Sequence, residues 1–264
     1  VPSHSDRTPR HVTPDGGWHR VRAAWSERGI VVVYGSVPDW LPRHEGHERL
    51  LARGDPGRWE RLRGGGQRRR FLSSRLLLRS VVGHLTGEGW QSVGTAGTPL
   101  GRPVVPAHPA LRLSLSHTHA LLGVAVSRRG PVGVDAEPAR RGIEGAEHRI
   151  CVPEELRALP PDPGGRRERQ LLRLWTLKEA YTKALGQGLR IPVRSFGFGL
   201  RGEEAVLLDG PGRRAAGTGG WSFVTHTVRT GLPAPHLISV AAGEDGGLPA
   251  PPPATHSGPA TRVS

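Results

Sequence analysis

At 264 residues the chain holds one large domain or two modest ones, and 37 Lys and Arg against 23 Asp and Glu leave a formal charge of +14. No apolar run approaches the roughly 20 residues needed to cross a bilayer. The opening VPSHSDRTPRHVTPDGG has no apolar signal-like core, and the single Cys151 excludes an internal disulfide or a multi-cysteine zinc site. A cytoplasmic protein with no membrane partner is expected. The charge favours anions: nucleic acid, phosphorylated small molecules or an acidic protein. The arginines are scattered (Arg68–Arg70, Arg140–Arg141, Arg166–Arg167, Arg213–Arg214). A single basic arm interleaved with aromatics would favour nucleic acid more strongly.

In chain order, residues 1–17 are polar and rich in Pro and Gly, and read as disordered. Val21 to Ser36 contains VVVYG, a strand-like run of β-branched and aromatic residues that Pro38 to Pro42 breaks. Glu45 to Leu85 has a helical pattern split at Gly64–Gly66, with Arg68, Arg69, Arg70, Arg75 and Arg79 decorating the second helix. Gly87 to Pro109 is loop with room for a short strand or two. LRLSLS at 111–116 and ALLGVAVS at 120–127 read as strands that pair around the Ser116-His117-Thr118-His119 turn. VGVDAE at 132–137 is a third strand. Ile150 to Leu159 is helix-like, with Pro153-Glu154-Glu155 in its first turn. Strand-like runs recur at 196–200, 205–208, 221–228 and 236–242, and the Pro-rich end, 244–264, reads as disordered. Helices and antiparallel strands thus occur twice over, an α+β layout in two halves, 18–128 and 129–243.

Between those last helices and strands lies LLRLWTLKEAYTKALGQGL, residues 171–189, a helix ending at a glycine turn. Trp175, Glu179 and Lys183 are spaced i, i+4, i+8 and form one row along it. Lys178 and Lys183 are the only two lysines in the chain. Their retention in an arginine-rich sequence points to a need for a compact ammonium. Asp135 and Glu137, two apart on a strand, project from the same face. Two such carboxylates repel unless protons or a cation lie between them, and oxygen ligands without Cys favour Mg²⁺ over Ca²⁺. His117, at a strand end beside Ser116, suits anion binding or proton transfer. A zinc site from His117, His119 and Asp135 lacks the spacing of zinc motifs.

Jointly the chain offers GRP at 101–103, SLSH at 114–117, VGVDAE at 132–137 and WTLKEAYTKALGQGL at 175–189. In this order they resemble the Sfp-type 4′-phosphopantetheinyl transferases, whose signatures are G-K/R-P, S-H, G-V/I-D-x-E and W-x-x-K-E-x-x-x-K-x-x-G-x-G-L. The resemblance runs from about Arg58 to Leu200 and is densest between Gly101 and Leu189. It implies an α+β pseudo-dimer of two similar halves, each with a small antiparallel sheet and packed helices, acting as a monomer. It also implies Mg²⁺-dependent transfer of the phosphopantetheine arm of coenzyme A to a serine of an apo acyl or peptidyl carrier protein. The by-product is 3′,5′-ADP, and the recipients belong to polyketide or nonribosomal peptide synthases, with no role for nucleic acid. By that resemblance Asp135, Glu137 and Glu179 are metal ligands and Glu179 is also the base for the carrier serine. Lys183 contacts the pyrophosphate and assists the leaving group. His117, Ser116 and Arg102 hold phosphates, and Arg58, Arg61 and Arg70 fall near the positions that grip the 3′-phosphate. Asp55 stands where another cation is expected. A water is expected beside Ala136, where some relatives have a polar residue. Lys178 is expected to fix the site or its phosphates, and Trp175 to pack in the core.

Overall fold

The computed structural model describes residues 7–52, 56–161, 165–187, 190–209, 214–215 and 220–244. In chain order the first elements are β1 (Arg10–His11), α1 (Trp18–Arg28), β2 (Ile30–Ser36), α2 (Glu45–Ala52), α3 (Pro56–Arg61), α4 (Gly65–Thr86), β3 (Ala96–Gly97), β4 (Pro103–Val104), β5 (Arg112–His117) and β6 (Leu121–Ser127). Those that follow are β7 (Val132–Pro138), α5 (Glu147–Ile150), α6 (Pro153–Ala158), α7 (Gly165–Ala184), β8 (Gly197–Arg201), β9 (Glu204–Asp209), β10 (Arg214–Ala215), β11 (Trp221–Val228) and β12 (His236–Gly243). No described helix is long and apolar enough to cross a membrane.

Two sheets organise the molecule. The first has the order β1-β2-β6-β5, and the second runs β10-β9-β11-β12-β7 with β8 paired to β9. The sequence of β2, IVVVYGS, is buried throughout because both of its faces are covered. Val31 and Val33 point into a core shared with α1 and α4, among Val21, Ala24, Leu77 and Val81. Ile30, Val32 and Tyr34 point the other way, into a second core completed by Val132 and Val134 of β7, Val224 of β11, and Ile238 and Val240 of β12. The period of two therefore sends alternate residues to opposite layers, and the two sheets meet face to face across a common apolar seam. On the far side of the second sheet, α7 buries Leu174, Leu177 and Tyr181 against Phe196, Phe198, Trp221 and Phe223. The α+β layout expected from the sequence is what the chain forms.

Three expectations are corrected. Of the stretch 1–17 read as disordered, the described residues 7–17 are ordered: β1 pairs in parallel with β2, Val12 is buried, and the Trp18 indole donates to Pro14 O. The segment before VVVYG is the helix α1, whose polar sequence hides a buried stripe of Trp18, Val21 and Ala24. Between 45 and 86 there are three helices instead of two, and Arg75 and Arg79 do not decorate the surface: they are only 5% and 3% exposed. Asp55, Gly188, Leu189 and the tail 245–264 lie outside the described residues.

Two glycines fix how α7 sits over β7. Gly186 adopts φ 70°, its N–H bonds Lys183 O at 3.0 Å, and the Gln187 N–H reaches back to Thr182 O at 3.2 Å. That Schellman arrangement stops the helix at the cleft. At Gly133, a Cβ would lie 1.8 Å from Ala180 O and 2.7 Å from Ala184 N, both backbone atoms of α7. The helix therefore rests on bare strand, which brings its row Trp175, Glu179, Lys183 down to the Asp135 and Glu137 side of β7. Gly133→Ala must push helix and strand apart. We expect a loss of about 3 kcal/mol, the upper end for overpacking, visible as a lower thermal midpoint by circular dichroism. An unchanged midpoint would show that the contact is not as tight as described.

Candidate active site

A cavity of about 560 Å³ is lined by Arg58, Arg75, Arg102, Ser116 and His117 from the elements up to β5 and by Asp135, Glu137, Glu179 and Lys183 from β7 and α7. A smaller one of about 220 Å³ adjoins it and shares Arg58, Arg75, Leu115 and His117, adding Gln67, Arg70 and Ser74. Arginines from α3 and α4 thus share the cavity with a set of carboxylates.

The carboxylate side is built by β7 and α7. Asp135 Oδ1 accepts from Lys183 Nζ at 2.7 Å and from Ser116 Oγ at 2.9 Å. Its other oxygen, Oδ2, is buried with no protein partner, and so is Glu179 Oε1. Glu137 is held by Arg141. Burial, followed by the charge of Asp135, raises the Glu137 carboxyl above its ordinary range, with Arg141 opposing. Burial and then Asp135 also raise Glu179, Lys183 opposing and Glu137 adding to the rise. Among the described residues no three His, Cys, Asp or Glu side chains close into a preformed metal cage. Lys183 and Arg141 instead offset two of the three negative charges. The two orphaned oxygens still suit a hard cation, which favours carboxylate ligands and needs few of them.

His117 stands exposed at the end of β5. Desolvation by the cleft, then the cations Arg58, Arg70 and Lys183, lower its imidazolium to about 4. At neutral pH it is an uncharged ring in a field built for anions. A bound phosphate would cancel much of that field and raise the value. Binding must then take up a proton, so affinity for a phosphate ligand should rise as pH falls through the bound-state value and level off below about 4. NMR titration of His117 with and without coenzyme A tests this, and identical curves would argue against contact. Arg102, on the loop before β4, has a buried Nε without a partner, and burial, then Arg112, lower its guanidinium from the ordinary value.

Most of the residues singled out in the sequence are brought together here: Arg58, Arg70, Arg102, Ser116, His117, Asp135, Glu137, Glu179 and Lys183 line the paired cavities. Arg61 does not, being exposed at the end of α3. Lys178 does not either, because it lies in the core, 0% exposed, bonded to Glu155. Trp175, partly buried, packs against the core under α7 as expected. Arg75 was missed. Its place within an arginine-rich helix gave no sign that it turns inward, its guanidinium over the Phe71 ring at 4.8 Å.

The carboxylates, Lys183 and the glycine under α7 all fall within one stretch of the chain. A family model of the 4′-phosphopantetheinyl transferase superfamily matches it, over residues 131–229. Individual members of the superfamily show likeness beyond it. A 4′-phosphopantetheinyl transferase of Bacillus subtilis is 26% identical over 142 residues, 54% of this chain and 63% of that protein. The 4′-phosphopantetheinyl transferase HetI of a Nostoc strain is 33% identical over 127 residues, 46% of this chain and 54% of that protein. The 4′-phosphopantetheinyl transferase Sfp of Bacillus subtilis strain 168 is 25% identical over 183 residues, 68% of this chain and 81% of that protein. The chain thus spans between about half and two thirds of the length of the first two.

Proposed function

We propose that the protein transfers the 4′-phosphopantetheine arm of coenzyme A to a serine of an apo acyl or peptidyl carrier protein, releasing 3′,5′-ADP. One observation carries the reading. The cavity gathers Arg58, Arg75, Arg102 and His117 with Asp135, Glu179 and Lys183, the charge pattern that suits a diphosphate with a divalent ion. Asp135 and Glu179, through their orphaned oxygens, would hold Mg²⁺ with Glu137 beside them. Bound there, the ion would offset the negative charge of the diphosphate oxygens.

The chain's own groups account for the remaining steps. The arginine wall and neutral His117 bind the phosphates. Glu179, with its raised affinity for protons, takes the proton of the carrier serine as that oxygen attacks the β-phosphorus. The bond from that phosphorus to the departing 3′,5′-ADP breaks, and Lys183, one helical turn from Glu179, stabilises the charge that develops on the leaving phosphate. The same reading takes the two halves as a pseudo-dimer within one chain, monomeric and cytoplasmic. Its recipients are carrier domains of polyketide or nonribosomal peptide synthases, and the +14 charge favours encounter with acidic ones. Incubation with coenzyme A, Mg²⁺ and a panel of apo carrier domains, read by intact mass, tests it. Gain of one phosphopantetheine by at least one domain is expected. No gain across the panel, from protein shown to be folded, would refute it.

A further inference from the structure

We propose that Ser116 is a positioning residue for Asp135. The inference rests on the transferase reading only in taking Asp135 as an ion-binding carboxylate.

A serine hydroxyl has one proton to donate. In Ser116, which is 6% exposed, that proton goes to Asp135 Oδ1 at 2.9 Å, while the serine Oγ accepts the Ala136 N–H at 3.2 Å. The hydroxyl proton is thus engaged by the carboxylate. The bond acts on Asp135 together with Lys183 Nζ, 2.7 Å from the same Oδ1. Both donors hold one oxygen of the carboxylate, so its rotation is fixed and the orphaned Oδ2 is left for a ligand.

The wider setting explains why a serine stands here. One edge of β7 pairs with β12 through the backbone. Its other edge faces β5, where serine hydroxyls replace a backbone ladder: Ser114 Oγ accepts from Val134 N–H at 3.0 Å, as Ser116 Oγ accepts from Ala136 N–H. Two serines two residues apart meet two amides two residues apart, which sets the register between β5 and β7 and brings Asp135 between the two anchored amides. Ser114, which also lines the cavity, bonds the seam through Val134 and not the carboxylate. Ser116 contributes to the seam and to the carboxylate. The pair therefore separates a structural role from a positioning role within one motif.

The test is Mn²⁺ binding by electron paramagnetic resonance, with coenzyme A binding measured separately by calorimetry in the presence of a chelator. Ser116→Ala should weaken Mn²⁺ binding by about tenfold, as expected for the loss of an outer partner of a metal ligand, and leave coenzyme A affinity within twofold. Ser116→Thr should restore Mn²⁺ binding. Ser114→Ala, which loses the equivalent seam bond, should leave Mn²⁺ affinity as in the parent. In transfer assays the Ser116→Ala defect should fall on kcat with little change in KM for coenzyme A. A tenfold loss of coenzyme A affinity with unchanged Mn²⁺ affinity would overturn the proposal, as would equal Mn²⁺ defects in Ser114→Ala and Ser116→Ala, or absence of Mn²⁺ binding in the parent. The metal titration needs no carrier protein, so failure of the parent to modify any carrier would count against the transferase reading alone.

Discussion

Glu179→Gln should lower the rate of carrier modification by about 10²–10³-fold, the scale seen when one preorganised charge-stabilising group is removed. Glutamine keeps the shape and volume of the side chain and removes only its charge and its capacity to accept a proton. In the parent, Glu179 is desolvated and sits in the negative field of Asp135 and Glu137, with Lys183 as its nearby compensation. Removing its charge relieves like-charge repulsion. The variant should therefore melt no lower than the parent even as its activity collapses. That combination distinguishes a functional carboxylate from a structural one. Asp135→Asn offers the contrast. It alters the acceptor that holds Lys183 and Ser116, so activity and thermal midpoint should fall together. Time courses by intact mass, alongside melting curves, read both quantities. Parent-like turnover in Glu179→Gln would remove it from the mechanism.

The pH dependence has the same origin. Because burial and Asp135 raise the Glu179 and Glu137 carboxyls, the folded state binds protons there more readily than the unfolded chain does. Those two groups cost stability when ionised, and that cost is relieved as pH falls through the raised values. His117 has the opposite sign. Its imidazolium is held down at about 4, so the unfolded chain takes up the proton first and stability declines as pH falls below the ordinary histidine range.

Much of this could be read from residue spacing, and the failures have physical reasons. Alternation in LRLSLS marked β5, the D-x-E spacing placed Asp135 and Glu137 on one face of β7, and the i, i+4, i+8 spacing placed Trp175, Glu179 and Lys183 in one row along α7. The spacing of Lys178 and Lys183 held more than was drawn from it. At about 100° per residue, five positions put the two lysines roughly 140° apart on the helix, so both could not face one cleft. Helix α1 was hidden because only three of its residues are buried in an otherwise polar run. Arg75 and Arg79 were taken for surface because a buried guanidinium leaves no local mark. Whether it finds Phe71 or the Leu50 carbonyl depends on neighbours distant in three dimensions. The reach of Ser116 across the seam, 19 residues along the chain to Asp135, is likewise a property of packing.

Lys178→Met should cost about 3–5 kcal/mol of stability, the penalty for stripping a buried charge of its partner. That is a large share of the roughly 5–15 kcal/mol that holds a domain together. The Lys178 ammonium is fully buried and bonds Glu155 Oε2 at 2.7 Å, Ile150 O at 2.8 Å, Val193 O at 2.8 Å and Phe196 O at 3.1 Å. Glu155, itself 1% exposed, also accepts the Val152 N–H at 2.8 Å and the Phe198 N–H at 2.8 Å. The pair thereby ties α7 to the start of α6, to β8 and to the loop before β8. Methionine fills similar space but leaves three carbonyls and a carboxylate without their donor. Arginine would bring a planar fork where a point charge meets acceptors from several directions, which accounts for lysine in a chain that otherwise uses arginine. A midpoint lower by on the order of 10 °C is expected at this chain length. The double variant Lys178→Met, Glu155→Leu should recover part of the loss, since it removes the orphaned charge as well as the bond. Because the pair does not line the cleft, the Lys178→Met protein that remains folded at low temperature should bind coenzyme A like the parent. Loss of coenzyme A affinity in that folded fraction would instead return Lys178 to the site.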